Sequence, residues 1–203
     1  MTCIVAIRTA TSIAIAGDSL TVSGDRIVSR TTKKYVSLPN GWVIANSGLS
    51  LFAGLLDQGK EKLFTTGDVY SLCVSIRAYL KEVEYAANPD VKVGLPGYDL
   101  GLVILNKGVE YVQCPESPAY SGVDRWAKLP GLWVASGGDI WPKEAEIGRP
   151  YGTGSGGNQG EAGAWVAIRH GLPALRAAIQ GVQAAIEYDL TSGGEIWSME
   201  IAL

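Results

Sequence analysis

Charge is scarce in this chain and histidine almost absent: 18% of the 203 residues are Asp, Glu, Lys or Arg, and His170 is the single histidine. One histidine excludes multi-histidine metal sites and leaves one candidate for any triad built on imidazole. The three cysteines, Cys3, Cys73 and Cys114, are odd in number and share no CxxC spacing. A disulfide framework is therefore not expected, and a reducing compartment is. A basic surplus is missing too. The net charge is -3 and Lys33-Lys34 is only a pair, which argues against a nucleic-acid partner. No run of about 18 apolar residues occurs, and the first residues lack a basic segment leading into an apolar run and a cleavage site. The expectation is a cytoplasmic protein with no membrane partner. What is abundant is apolar side chain, 47% of the residues. That fits a single domain over 1–203 with a sizeable core and with subunit interfaces among its buried surfaces.

The pattern along the chain alternates strands with pairs of helices. Residues 2–8 and 12–17 read as two short apolar strands joined by Thr9-Ala10-Thr11. Both faces of the first are apolar, as in a strand covered on both sides. Ile13 and Ile15 alternate with Ala14 and Ala16, so the second has one bulky and one small face. A strand pair, 35–38 and 42–46, surrounds the turn residues Pro39-Asn40-Gly41. Helical spacing follows in Leu49, Phe52, Leu56 and Leu63, and in Val69, Leu72, Cys73, Ile76, Leu80 and Val83. A hairpin is expected over 99–105 and 109–113, and 115–150 reads as irregular, rich in Pro, Gly and Trp. Asn158 with Glu161 resembles a capping box opening a helix. Leu172, Leu175, Ile179, Val182 and Ile186 mark another helix with Pro173 near its start. The last strand, 195–203, alternates Trp197, Met199 and Ile201 with Ser198 and Glu200. This order predicts packed sheets with helices outside, not βαβ alternation.

Thr2 carries the most chemistry. Once Met1 is removed, a terminal threonine holds a nucleophile, its hydroxyl, and a base, its own amine. Downstream lie Asp18 in AGDS, Lys34, Gly48 in ANSGLS, Ser155 in GSGG, and Asp189 and Ser192 in DLTSGG. This set resembles the proteasome β-subunit and HslV family of N-terminal-nucleophile hydrolases. The opening TCIVAI resembles that family's first strand, and Asp18 and Lys34 lie sixteen and thirty-two residues beyond Thr2, matching its spacings. The resemblance covers nearly the whole chain.

The resemblance implies a four-layer αββα sandwich of the α+β class and a threonine-type endopeptidase. Thr2 would attack the amide, Lys34 would tune the Thr2 amine, Asp18 would hold Lys34, and the Gly48 N–H would meet the oxyanion. Ser155, Asp189 and Ser192 would orient the amine. Neighbours on a strand face opposite ways, and the spacing to Thr2 favours Lys34 over Lys33. By the same resemblance Thr21, Thr32, Val36, Asn46, Ser50 and Gly54 would line the specificity pocket. They are small and mostly neutral, so no preference for charged side chains is indicated. The resemblance further implies homo-oligomeric rings around an inner chamber, unfolded polypeptide or peptide as substrate, and an ATP-dependent unfoldase as a plausible partner that no residue identifies. No metal or organic cofactor is needed.

Taken singly, Asp18 is an ordinary strand-end residue, Lys34 a surface charge, Ser155 a loop residue and Gly48 a turn glycine. Gly152 to Gly157 satisfies GxGxxG, but positions 170–180 hold no acidic residue and the dinucleotide fingerprint fails. No P-loop Gly-Lys-Ser/Thr follows either. Cys3 is not terminal and is expected in the core. His170 is expected as a helix C-terminal residue rather than a catalyst. The stretch 115–150 is longer than the corresponding family connection and reads equally as a ring contact, a gate or a decoration. Two further readings stay open: a silent ring subunit, and an N-terminal-nucleophile amidase acting on a small molecule.

Overall fold

The computed structural model describes residues 2–23, 26–38, 41–48, 51–63, 68–87, 101–107, 130–136 and 142–203. Two antiparallel sheets lie face to face. The first has the order β10 (Pro150–Thr153), β1 (Ile4–Arg8), β2 (Ser12–Asp18) and β11 (Ile196–Ala202). The second has the order β5 (Tyr35–Ser37), β6 (Trp42–Ser47), β7 (Gly101–Asn106), β8 (Gly131–Ser136) and β9 (Lys143–Glu144). A separate hairpin pairs β3 (Thr21–Ser23) with β4 (Arg26–Ser29).

Side-chain alternation sets the layers. Ile4, Ala6, Ile13 and Ile15 meet Val43, Ala45, Val103, Leu105 and Leu132 between the sheets. Cys3, Val5, Ile7, Ala14 and Ala16 point the other way, against α4 (Gly157–Arg169) and α5 (Ala174–Tyr188). The opposite face of the second sheet, with Trp42, Ile44, Leu102 and Ile104, packs on Leu56, Leu63, Leu72 and Ile76. Those come from α1 (Leu51–Gln58), α2 (Lys60–Leu63) and α3 (Val69–Ala87). The result is the α/β/β/α order the resemblance implied. Each fully buried isoleucine or leucine contributes roughly 1.5–3 kcal/mol relative to an exposed one. The small Ala14 and Ala16 let α5 sit close on β2. The two outer helices also approach closely, since a Cβ on Gly181 would lie 2.4 Å from the Gly160 carbonyl oxygen.

Several local expectations change. The sequence pattern assigned no strand to β3 or β4. Part of the irregular stretch 115–150 forms β8 and β9 in the second sheet; GLWVAS is apolar enough for an inner strand, and the surrounding Pro and Gly concealed it. Residues 109–113 and Cys114 lie outside the described residues. The capping box does not form: Gly156 is the N-cap of α4, with no side-chain cap. Glu161 instead accepts a 3.0 Å hydrogen bond from the Gly152 N–H and ties β10 to α4. His170 closes α4 through its own N–H, bonded to the Val166 carbonyl.

Candidate active site

The pairing of β1 with β2, Ile4 opposite Gly17, brings Asp18 beside Cys3. Asp18 is fully buried. Its Oδ1 accepts from the Cys3 N–H at 2.8 Å and from Lys34 Nζ at 2.8 Å, and its Oδ2 accepts from the Gly193 N–H at 3.0 Å. Lys34 precedes β5 and is only 5% exposed, whereas Lys33 is exposed. One carboxylate oxygen therefore holds both the lysine ammonium and the amide next to Thr2. Burial pulls the Lys34 ammonium below its ordinary range, while the Asp18 carboxylate opposes that shift.

Thr2 is 3% exposed. Its nitrogen donates to Ser155 Oγ at 3.2 Å, and its carbonyl accepts from the Gly156 N–H at 3.3 Å. With Met1 attached that nitrogen is a peptide amide; without Met1 it is an amine. Ser155 Oγ donates to Asp189 Oδ2 at 3.0 Å and lies 2.9 Å from Thr191 Oγ1. Ser192 Oγ donates to the same Asp189 oxygen at 2.7 Å. Burial pushes the Asp189 carboxyl up, but the bonds from Ser192, Thr191 and Ser155 outweigh it and the net shift is downward. Sequence reasoning passed over Thr191, although a hydroxyl residue between Asp189 and Ser192 was a readable signal.

Gly48 follows β6 with φ +113°, a conformation side-chain-bearing residues rarely adopt. Gly154, at φ +92°, wedges between Thr2 and Ser47: a Cβ there would lie 2.0 Å from the Thr2 carbonyl oxygen and 3.2 Å from Ser47 Cβ. The end of β6 thus abuts the Thr2 backbone through Gly154.

The six residues expected around a specificity pocket fare differently. Thr21 and Asn46 are buried, and among the described residues neither Thr21 Oγ1 nor Asn46 Oδ1 has a hydrogen-bond partner. The Asn46 N–H bonds the Lys34 carbonyl at 3.0 Å, and Thr32 bonds Ser19 through its backbone at 3.1 Å. Val36 belongs to the core under α1–α3. Gly54 is exposed on α1, and Ser50 lies outside the described residues.

Cys3 sits beside this site but its thiol is not primed. Burial, with Asp18 and Asp189 nearby, pushes it up to about 12. Among the described residues no group of three His, Cys, Asp or Glu could hold a metal ion. No described helix is long and apolar enough to cross a membrane.

No family model matches the chain, and no curated protein does. Solved structures do. BPH of Thiobacillus denitrificans in complex with epoxomicin aligns with a TM-score of 0.72 at 20% identity, covering 100% of this chain and 99% of that one. A second structure of Thiobacillus denitrificans BPH gives 0.70 at 20% identity, over 100% and 98%. HslV from Trypanosoma brucei gives 0.64 at 18% identity, over 100% of both chains. The chain shares the fold of these proteins over its whole length.

Proposed function

We propose that this chain, freed of Met1, is a threonine-type endopeptidase of the proteasome and HslV kind, assembled into homo-oligomeric rings. The observation that carries the reading is Asp18 Oδ1 receiving both Lys34 Nζ and the Cys3 N–H at 2.8 Å. On this reading the Lys34 ammonium, held by the carboxylate that also binds the Cys3 N–H, acts on the Thr2 amine, which must be neutral to serve as a base. An unperturbed α-amine titrates near 7.7–8.0, and a neighbouring positive charge lowers that value.

The reaction then runs on one residue and its neighbours. Thr2 Oγ attacks the scissile carbonyl while the Thr2 amine takes the hydroxyl proton. The Gly48 N–H receives the developing oxyanion, a contact of the type worth about 2.7–4 kcal/mol of barrier. Collapse passes the proton to the departing amine and leaves an ester on Thr2. Water, deprotonated by the same amine, hydrolyses that ester. Ser155, with Asp189 and Ser192 behind it, accepts a hydrogen bond from the Thr2 nitrogen and orients it. While Met1 remains, that nitrogen is an amide with no basicity, so excision of Met1 is the activating step.

Self-association is supported by large apolar side chains left exposed, among them Trp165, Val166, Tyr188 and Leu190. A ring chamber would admit unfolded polypeptide or peptides as substrate; an ATP-dependent unfoldase would supply the former. The chain would work without a cofactor in the cytoplasm.

The test combines intact mass with turnover. The mass reports whether Met1 is gone, and a peptide epoxyketone should add to the wild type and not to Thr2→Ala. Peptide hydrolysis should fall to background in Thr2→Ala. Equal rates in both would favour a silent ring subunit, and cleavage of small amides but not peptides would favour an amidase. Sedimentation at micromolar concentration should show an oligomer.

A further inference from the structure

Ser155, Thr191 and Asp189 form a closed hydrogen-bond cycle with Ser192 attached to Asp189, and one member of the cycle, Thr191, has no role in the proposed reaction. Thr191 Oγ1 lies 2.9 Å from Ser155 Oγ, 2.8 Å from Asp189 Oδ1 and 2.9 Å from Asp189 Oδ2. The Thr191 N–H also reaches Asp189 Oδ1 at 3.2 Å. We propose, on the basis of the peptidase reading, that Thr191 is a positioning residue: its hydroxyl completes a triangle with Ser155 and Asp189 that turns the Ser155 hydrogen away from Thr2 and its lone pair toward the Thr2 nitrogen.

Ser155 Oγ has one hydrogen and two lone pairs. Thr2 N needs a lone pair of Ser155, because the ammonium formed during attack has only hydrogens to offer. The Ser155 hydrogen must then point elsewhere. Asp189 Oδ2 is one acceptor for it, but that oxygen is already met by Ser192 Oγ at 2.7 Å and by Thr191 Oγ1. Thr191 Oγ1, 2.9 Å from Ser155 Oγ, is the second acceptor. When the Thr191 hydrogen lies on Asp189 Oδ1, its lone pair is free for Ser155; when it turns to Ser155, the Ser155 hydrogen goes to Asp189. Either arrangement leaves a Ser155 lone pair for Thr2. Without the Thr191 hydroxyl, the Ser155 hydrogen keeps one acceptor instead of two, Asp189 Oδ2, which it shares with Ser192, and is freer to rotate toward Thr2 and oppose its ammonium.

Charged and titratable groups around the Thr2 nitrogen come from three directions: Asp18 from the end of β2 with Cys3 just before β1, Lys34 from the approach to β5, and Asp189 from the end of α5. Of these, only Asp189 is bonded to Thr191, so a Thr191 variant changes one side of this balance and leaves the Lys34–Asp18 side alone.

The test uses a chain that begins at Thr2, released from an N-terminal fusion, with [15N]threonine reporting the terminal amine. Thr191→Val keeps the shape and removes the hydroxyl; Thr191→Ser restores the hydroxyl. Weaker support for the ammonium should lower the amine midpoint in Thr191→Val by about half a pH unit or more, with Thr191→Ser at the wild-type value. In turnover, Thr191→Val should lower kcat by about tenfold at unchanged KM, and Thr191→Ser should recover it. Coincident titrations of all three proteins overturn the assignment, as does a Thr191→Ser protein as impaired as Thr191→Val. The amine titration needs no turnover, so an inactive wild type would sink the peptidase reading while leaving the positioning role decided.

Discussion

Lys34 Nζ donates a 2.8 Å hydrogen bond to Asp18 Oδ1 in the interior, with Asp18 fully buried and the lysine side chain 7% exposed. The two partners are not equivalent. Asp18 also accepts from the N–H groups of Cys3 and Gly193, so its loss breaks three hydrogen bonds, whereas loss of Lys34 takes one of the three from the carboxylate. Removing one partner of a buried pair leaves an uncompensated charge and costs about 3–5 kcal/mol. Asp18→Ala leaves the ammonium and two amides without this acceptor, so it should sit at the upper end of that range. Lys34→Met leaves a carboxylate that still accepts two amide hydrogens, so it should sit at or below the lower end. Urea unfolding of both variants checks the order, and a Lys34→Met loss larger than that of Asp18→Ala contradicts it.

The same pair predicts a pH trend. Burial holds the Lys34 pKa in the folded protein below its ordinary 10.5. As pH rises through the window below 10.5, the folded protein releases this proton first and the unfolded chain carries the surplus. Stability from this group therefore rises with pH across that window. The stability advantage of wild type over Lys34→Met should grow as pH approaches 10.5. A constant or shrinking difference would remove the buried, desolvated ammonium from the account.

The two described thiols predict the opposite slope. Burial pushes both Cys3 and Cys73 from 9.0 up to about 12, with Asp18 and Asp189 adding to the shift at Cys3 and Asp68 at Cys73. Above pH 9 the unfolded thiols ionise while the folded ones stay protonated. Their contribution is complete below 9 and lost progressively toward 12. Cys73→Ala should show a shallower alkaline loss of stability than wild type. Neither thiol should react with iodoacetamide in the native protein at pH 8, as mapped by peptide mass, because the thiolate is the nucleophile.

Two glycines with similar backbone angles separate strain from contact. Gly148, at φ +79°, has open space where a Cβ would go; Gly154, at φ +92°, has the Thr2 carbonyl oxygen 2.0 Å away. Gly148→Ala should cost only the left-handed strain, about 1–2 kcal/mol. Gly154→Ala carries that strain and must also push back the backbone of Thr2. It should lose more stability and, on the peptidase reading, nearly all turnover, while Gly148→Ala keeps its activity. Similar behaviour of the two variants would mean that Gly154 does not fix Thr2.

What was legible in the sequence followed from short-range rules. A three-residue turn between two apolar strands forces Asp18 back beside Cys3; the choice of Lys34 over Lys33 rests on alternation along a strand, whereas both residues precede β5 and Lys34 alone of the two is buried. The bulky and small faces read on β2 are both present: Ile13 and Ile15 face the second sheet, and Ala14 and Ala16 face the outer helices. Legibility ended where partners are distant in sequence. Ser155 and Thr191 meet across thirty-six residues, and no periodicity announces such a contact. Glu161 matched a local capping rule, yet Gly152 on β10 took its carboxylate instead. The strand Gly131–Ser136 was hidden by its neighbours' composition, and its place beside β7 is a tertiary choice.

The enclosure of Thr2 predicts when Met1 leaves. Thr2 is 3% exposed, its carbonyl accepts from Gly156, and the next amide is held by Asp18 at 2.8 Å. An aminopeptidase must place its attacking atom within about 3–3.5 Å of the Met1 carbonyl and grip the residues on the far side of the bond. In the folded protein those residues are buried and lead into the inner strand β1, so gripping them requires local unfolding. Excision should therefore precede folding. Protein made with methionine excision blocked, then folded and treated with methionine aminopeptidase, should keep Met1. The same protein diluted from urea in the presence of the enzyme should lose it. Intact mass reads both outcomes. Equal loss from folded and unfolded protein would show that the β1 start opens readily, and loss of Met1 from folded protein with no enzyme added would show that the chain removes it unaided.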